Sequence, residues 1–149
     1  PEQIVEGEAL GPNLRTAAQH RSRRAQVYTG EMYEHGHPFD VVATRERLAA
    51  AGGGYEVVHA SPGLELGVYV LVAPEADRQQ PHEYDEVYVV LEGRGVLEVE
   101  GTQTQLEEGG ALFVPAGAEH RFLAYEQLSL LVVFNGPQSS AESPRRSVV

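Results

Sequence analysis

From residue 55 onward, apolar positions either alternate with polar ones or run together in short β-branched and aromatic blocks, the pattern of strands rather than helices. These blocks fall at 55–59, 64–72, 86–91, 96–100, 111–114, 120–125 and 128–134, separated by glycine, proline and acidic residues. In one of them the period of two is plain: Val96 and Glu98 face one way, Leu97 and Val99 the other. Residues 68–72 and 128–134 are apolar on both faces, which predicts central strands or strands covered by a second subunit. Glycines at Gly93, Gly95 and Gly101 supply the positive φ that tight turns need, so residues 91–96 and 99–102 are read as hairpin connections. Many short strands at this spacing predict an all-β sandwich or barrel.

The first 54 residues differ. Thr44 followed by residues 45–51 reads as a short helix closed by Gly52, Gly53 and Gly54. The expected organisation is an N-terminal arm with a short helix over 1–54, a β-barrel over 55–135 and a disordered tail over 136–149. Arg15, Arg21, Arg23 and Arg24 give the arm a basic cluster, read first as a solvated charged face and second as a surface for docking on acidic parts of the same or a neighbouring subunit. His20, within that cluster, is read as solvated.

The 149 residues are the length of one domain, enough to bury a core. No apolar run approaches the roughly 18 residues that span a bilayer, and the first eight residues carry no signal-peptide pattern, so a cytoplasmic protein is expected. Cysteine is absent, which excludes disulfides, thiolate metal sites and a cysteine nucleophile. The basic residues are all Arg, so lysine Schiff-base chemistry is excluded too. A formal net charge of -11 repels phosphate backbones and anionic lipid, leaving nucleic acid and membranes as poor partners.

Two segments hold ionisable residues at fixed distances from turn glycines: His82, Glu86 and Gly93 in the first, Gly109, Pro115, Gly117 and His120 in the second. The chain between residues 80 and 124 resembles the two conserved motifs of the cupin superfamily, G(X)5HXH(X)3-4E(X)6G and G(X)5PXG(X)2H(X)3N. That resemblance implies a double-stranded β-helix, or jelly-roll, barrel with a metal inside it. His82 falls on the second His of the first motif, and Glu86 and His120 on the Glu and the final His. The sequence departs from the family at Gln80, which stands for the first His, at Ala124 for the final Asn and at Pro74 for the opening Gly. Gln80 is therefore a weaker candidate ligand.

The residues support the same reading on chemical grounds. Two imidazoles and one carboxylate suit one divalent transition metal, whether iron, manganese, zinc, nickel or cobalt, and leave positions open for substrate or oxygen. With a period of two, Glu86 shares its face with Tyr88 and Val90, and His120 shares its face with Phe122 and Ala124. These residues are expected to wall the pocket, with Tyr88 and His59 as candidates for moving a proton.

Other candidates read more plainly. His35 and His37 lack a following Glu and Gly at the right distances, and Glu83, Asp85, Glu107, Glu108 and Glu119 read as water-facing turn residues. Ser139, Ser140 and Ser143 have no base beside them.

Three functions follow for such a pocket, in this order. The first is a mononuclear non-haem iron-type oxygenase or dioxygenase acting on a small organic molecule. The second is a metal-dependent isomerase, epimerase or cyclase. The third is a non-catalytic module that binds or senses a small ligand. A homodimer is expected, covering strands apolar on both faces.

Overall fold

The structure, a computed structural model, describes residues 36–137. The arm's arginine cluster with His20 and His35, and the tail beyond residue 137, lie outside the described residues. Among the described residues one helix, α1 (Val41–Ala50), precedes seven strands: β1 (Gly54–Ser61), β2 (Leu64–Val72), β3 (Glu86–Val99), β4 (Thr102–Glu107), β5 (Ala111–Val114), β6 (His120–Ala124) and β7 (Gln127–Phe134). The helix begins before the predicted start. Asp40 accepts a hydrogen bond from the Ala43 amide at 2.8 Å, satisfying an N–H that the first turn leaves unpaired, so the cap lies upstream of Thr44.

All pairings are antiparallel, in the order β1-β2-β7-β3-β4, with β5 and β6 also on β3. Strand β3 joins two sheets: its first half pairs with β7 and β5, its second with β4 and β6. This corrects the predicted hairpin at residues 91–96. Gly93, at φ +85°, bends one continuous strand from one sheet to the other. A Cβ there would run into the Gln127 carbonyl oxygen, so glycine serves a close approach of backbones as well as a bend. The hairpin at Glu100 and Gly101 is present, both residues having positive φ. Strand β4 escaped the hydrophobic pattern because only Leu106 in it is buried.

The barrel interior packs Tyr88, Val90, Leu97, Leu128, Leu130 and Val132, none more than 2 % exposed. At roughly 1.5–3 kcal/mol for each fully buried large side chain, this cluster is a main source of stability. On the opposite face of the larger sheet, Leu48 of α1 packs on Val58, Val68 and Val70. Strand β2 is thus buried on both sides, as its unbroken apolar run requires. The arrangement is a cupin-type jelly roll, all-β with one short helix among the described residues.

Candidate metal centre

Cross-strand pairing sets a row of inward-facing residues at one end of the barrel: Glu65 on β2 opposite Phe134 on β7, then Glu86 on β3, then Val114 on β5. His82 sits in the loop leading to Glu86, and His120 opens β6. Two hydrogen bonds draw together the segments that carry His82 and His120. The Gly117 amide donates to the His82 carbonyl at 2.7 Å, and the Ala116 amide to Asp85 Oδ1 at 2.9 Å. The 115–118 turn, with Gly117 at φ +80°, is thereby fastened to the His82 loop.

His82, Glu86 and His120 each offer one donor atom, and these lie within 4.8 Å of one another. Glu86 Oε2 has His120 Nε2 at 3.0 Å and His82 Nε2 at 3.5 Å, yet it accepts no well-directed hydrogen bond although the residue is only 1 % exposed. A buried carboxylate oxygen without such a partner is costly unless a cation faces it. The donor set fits a divalent metal ion. His120 Nδ1 lies 2.8 Å from the Ala118 carbonyl, which can only accept, so Nδ1 carries a proton, and whenever the ring is neutral Nε2 is bare and free to ligate.

The electrostatics differ between the two rings. Burial holds His82 below the ordinary imidazole value, against the pull of Glu86. For His120 burial is also the strongest single influence, but Glu86 and the Ala118 carbonyl together outweigh it and raise the ring above that value. Without a metal, His120 is the ring poised to carry the proton that balances Glu86.

Around this group runs a network that the sequence did not announce. The Tyr88 hydroxyl donates to Gln79 Oε1 at 2.6 Å and stands 3.2 Å from His120 Nε2, while Gln79 Oε1 is 3.4 Å from His82 Nε2. Asp77, buried, accepts from Gln79 Nε2 at 2.7 Å, the Gln79 amide at 3.2 Å, the Tyr69 hydroxyl at 2.9 Å and the Phe122 amide at 2.8 Å. Nearby, Tyr55 donates to the fully buried Glu65 at 3.0 Å, and its ring occupies the space that Gly67 leaves open. Glu65 carried an available signal: it keeps step with Gly67, Tyr69 and Leu71 on the inward face of an apolar strand. Asp77 and Gln79 lie in a loop and carried none.

The remaining expected site residues are placed as follows. Val90 and Phe122 face inward, and the Phe122 ring meets Tyr88 edge-on at 5.2 Å. Ala124 is exposed at the surface instead of walling the interior. Gln80 is exposed as well, and the amide beside His82 belongs to Gln79. His59 lies on the other side of the sheet. Val57 pairs with the inward Gly67, but a bulge at Val58 puts His59 opposite the outward Leu66, where it stacks on His37 with Nδ1 at 3.1 Å from His37 Nε2.

A family model described as a cupin domain matches residues 68–134. An uncharacterised protein of Streptomyces coelicolor, SCO3923, is 40% identical over 92 residues, spanning 61% of this chain and 88% of that protein. Among solved structures, TT1209 from Thermus thermophilus is 32% identical with a TM-score of 0.53, covering 61% of this chain and 92% of its own. KdgF from Halomonas sp. is 25% identical with a TM-score of 0.52, covering 58% and 82% respectively. No helix among the described residues is long and apolar enough to cross a membrane.

Proposed function

This chain belongs to the cupin superfamily, and from that premise we propose that it is a small-molecule enzyme built on one divalent transition metal at His82, Glu86 and His120, and that its reaction is an oxygen-dependent oxidation. The observation that carries the reading is Glu86 Oε2, buried, without a directed hydrogen bond and faced by two imidazole nitrogens. A metal held by two imidazoles and one carboxylate, with positions left open, supplies Lewis acidity and, as iron, the activation of dioxygen.

The protein's own residues supply the rest. His120 is held in the ligating tautomer by Ala118, and Tyr88 keeps a proton at its hydroxyl beside the centre. Phe134, whose ring meets His82 at 4.9 Å, and Phe122 keep water from the inner side. A second reading, a metal-dependent isomerase, epimerase or cyclase, is favoured by Tyr88, a proton carrier 3.2 Å from His120 Nε2.

The test has two parts. Protein purified without added metal is expected to hold about one ion per chain, and His82→Ala, Glu86→Ala and His120→Ala should each lose most of it under identical dialysis. Full occupancy in His120→Ala would remove the proposed triad. With the metal identified, turnover of a small-molecule panel with and without oxygen separates the readings: oxygen-independent product formation assigns the isomerase class. A homodimer is proposed as the assembled form, covering the outward face of the larger sheet, where Phe113 is 57% exposed.

A further inference from the structure

Five polar atoms form a closed ring at the candidate centre. From Gln79 Oε1 the next is His82 Nε2 at 3.4 Å, then Glu86 Oε2 at 3.5 Å, His120 Nε2 at 3.0 Å and the Tyr88 hydroxyl at 3.2 Å, which returns to Gln79 Oε1 at 2.6 Å. Two donors bound at about 2.1 Å to one ion stand about 3.0 Å apart at a right angle and about 3.4 Å apart at the tetrahedral angle. The three edges from Gln79 through His82 and Glu86 to His120, at 3.4, 3.5 and 3.0 Å, lie in that range or within 0.1 Å of it, as does the 3.2 Å edge from His120 to Tyr88, whose hydroxyl is committed to Gln79. The edge between Tyr88 and Gln79 is a firm hydrogen bond, whereas that between His120 and Glu86, at 3.0 Å, has the length of one without its direction.

We propose that the side-chain oxygen of Gln79 is a fourth protein donor to the metal, and that Asp77 aims it. The proposal rests on the metal-centre reading above and deepens it. Asp77 is the reason that the amide has one orientation. Its carboxylate can only accept, and it lies 2.7 Å from Gln79 Nε2, so the NH2 end is turned away from the site and the carbonyl end toward it. A carbonyl oxygen has two lone pairs. The Tyr88 hydroxyl takes one, and the other is directed to the side where His82 Nε2 stands.

A purely structural role for Gln79, holding Tyr88, leaves His82 unexplained. His82 Nε2 is nearly equidistant from two acceptor oxygens, at 3.4 and 3.5 Å, each at the outer limit of a hydrogen bond. One proton satisfies neither well, whereas a shared cation satisfies all three atoms. Asp77 itself is a positioning residue. Its bond to the Phe122 amide ties the Gln79 loop to β6, two residues beyond His120, so the amide and the imidazole are set by one carboxylate.

The experiment is titration of the full chain with cobalt(II), followed by visible absorption, which reads both affinity and coordination. Wild type, Gln79→Leu, Gln80→Leu and Tyr88→Phe are compared. Gln79→Leu should bind at least about tenfold more weakly and show altered cobalt bands, since loss of even an indirect partner costs about 10–100-fold. Gln80→Leu should match wild type, and Tyr88→Phe should keep the wild-type band shape. Gln79→Met preserves chain length while offering cobalt a poorly matched sulfur, and serves if leucine unfolds the loop.

Wild-type affinity and bands in the folded Gln79 variant would overturn the proposal. So would Tyr88→Phe reproducing the Gln79→Leu bands, which would reduce the amide to a support for tyrosine. Failure of wild type itself to bind cobalt or zinc would instead overturn the metal-centre reading.

Discussion

Tyr69 and Tyr88 show how the barrel interior treats single side chains. Each hydroxyl donates to a neighbouring oxygen, Asp77 and Gln79 respectively, and each is pushed well above the ordinary tyrosine value, chiefly by burial and then by Asp77 and Glu86 respectively. Tyr55 is raised in the same way by burial and by Glu65. Because these values lie above those of the unfolded chain, the folded state holds protons that the unfolded state releases above about pH 10. The stability they contribute is complete below that pH and is lost as pH rises through the folded values. Alkaline titration should therefore couple ionisation of these three tyrosines to unfolding. Tyrosinate absorbance from Tyr55, Tyr69 and Tyr88 should appear only together with loss of the folded circular dichroism signal. Smooth titration of all seven tyrosines near pH 10 in a folded protein would contradict this.

At the scale of the element, β3 carries the architecture because it belongs to both sheets. Its bend depends on Gly93, and a comparison with Gly101 separates two demands on glycine. Both have positive φ, +85° and +78°, but a Cβ at Gly101 meets nothing within 4 Å, whereas at Gly93 it collides with the Gln127 carbonyl oxygen. Gly101→Ala should cost about 1–2 kcal/mol, the strain of a left-handed backbone alone. Gly93→Ala should cost clearly more, because β7 must also move away from β3. Urea unfolding midpoints of the two variants check the order, and equal costs would show that the bend tolerates a side chain. The same strand shows why a local pattern misleads. Two glycines between apolar runs read as a turn, and only the presence of β7 against one half and β4 and β6 against the other shows a strand passing through.

For the whole molecule, the outward face of the larger sheet is covered unevenly. Helix α1 packs over β1 and β2, while Phe113 on β5 and its neighbour Val87 on β3 remain at least partly exposed. An isologous dimer through this face is expected to give a solution mass of two chains at micromolar concentration, and Phe113→Glu should shift it toward one. A mass of one chain for wild type removes the dimer. The barrel and the His82, Glu86 and His120 set were legible in the sequence for one reason: the information is local. Strand patterning needs only a period of two, and the three residues stand at the spacings of two short motifs, within residues 80–124, that resemble those of the cupin superfamily. What the tertiary structure decided depends on contacts between distant segments. The bulge at Val58, defined by pairing with β2, turned His59 away from the interior. Asp77, bonded to the amide of Phe122 45 residues further on, selected Gln79 over its neighbour Gln80 to face His82. A loop has no period to read, so which of two adjacent glutamines faces the centre is decided by the carboxylate that holds it there.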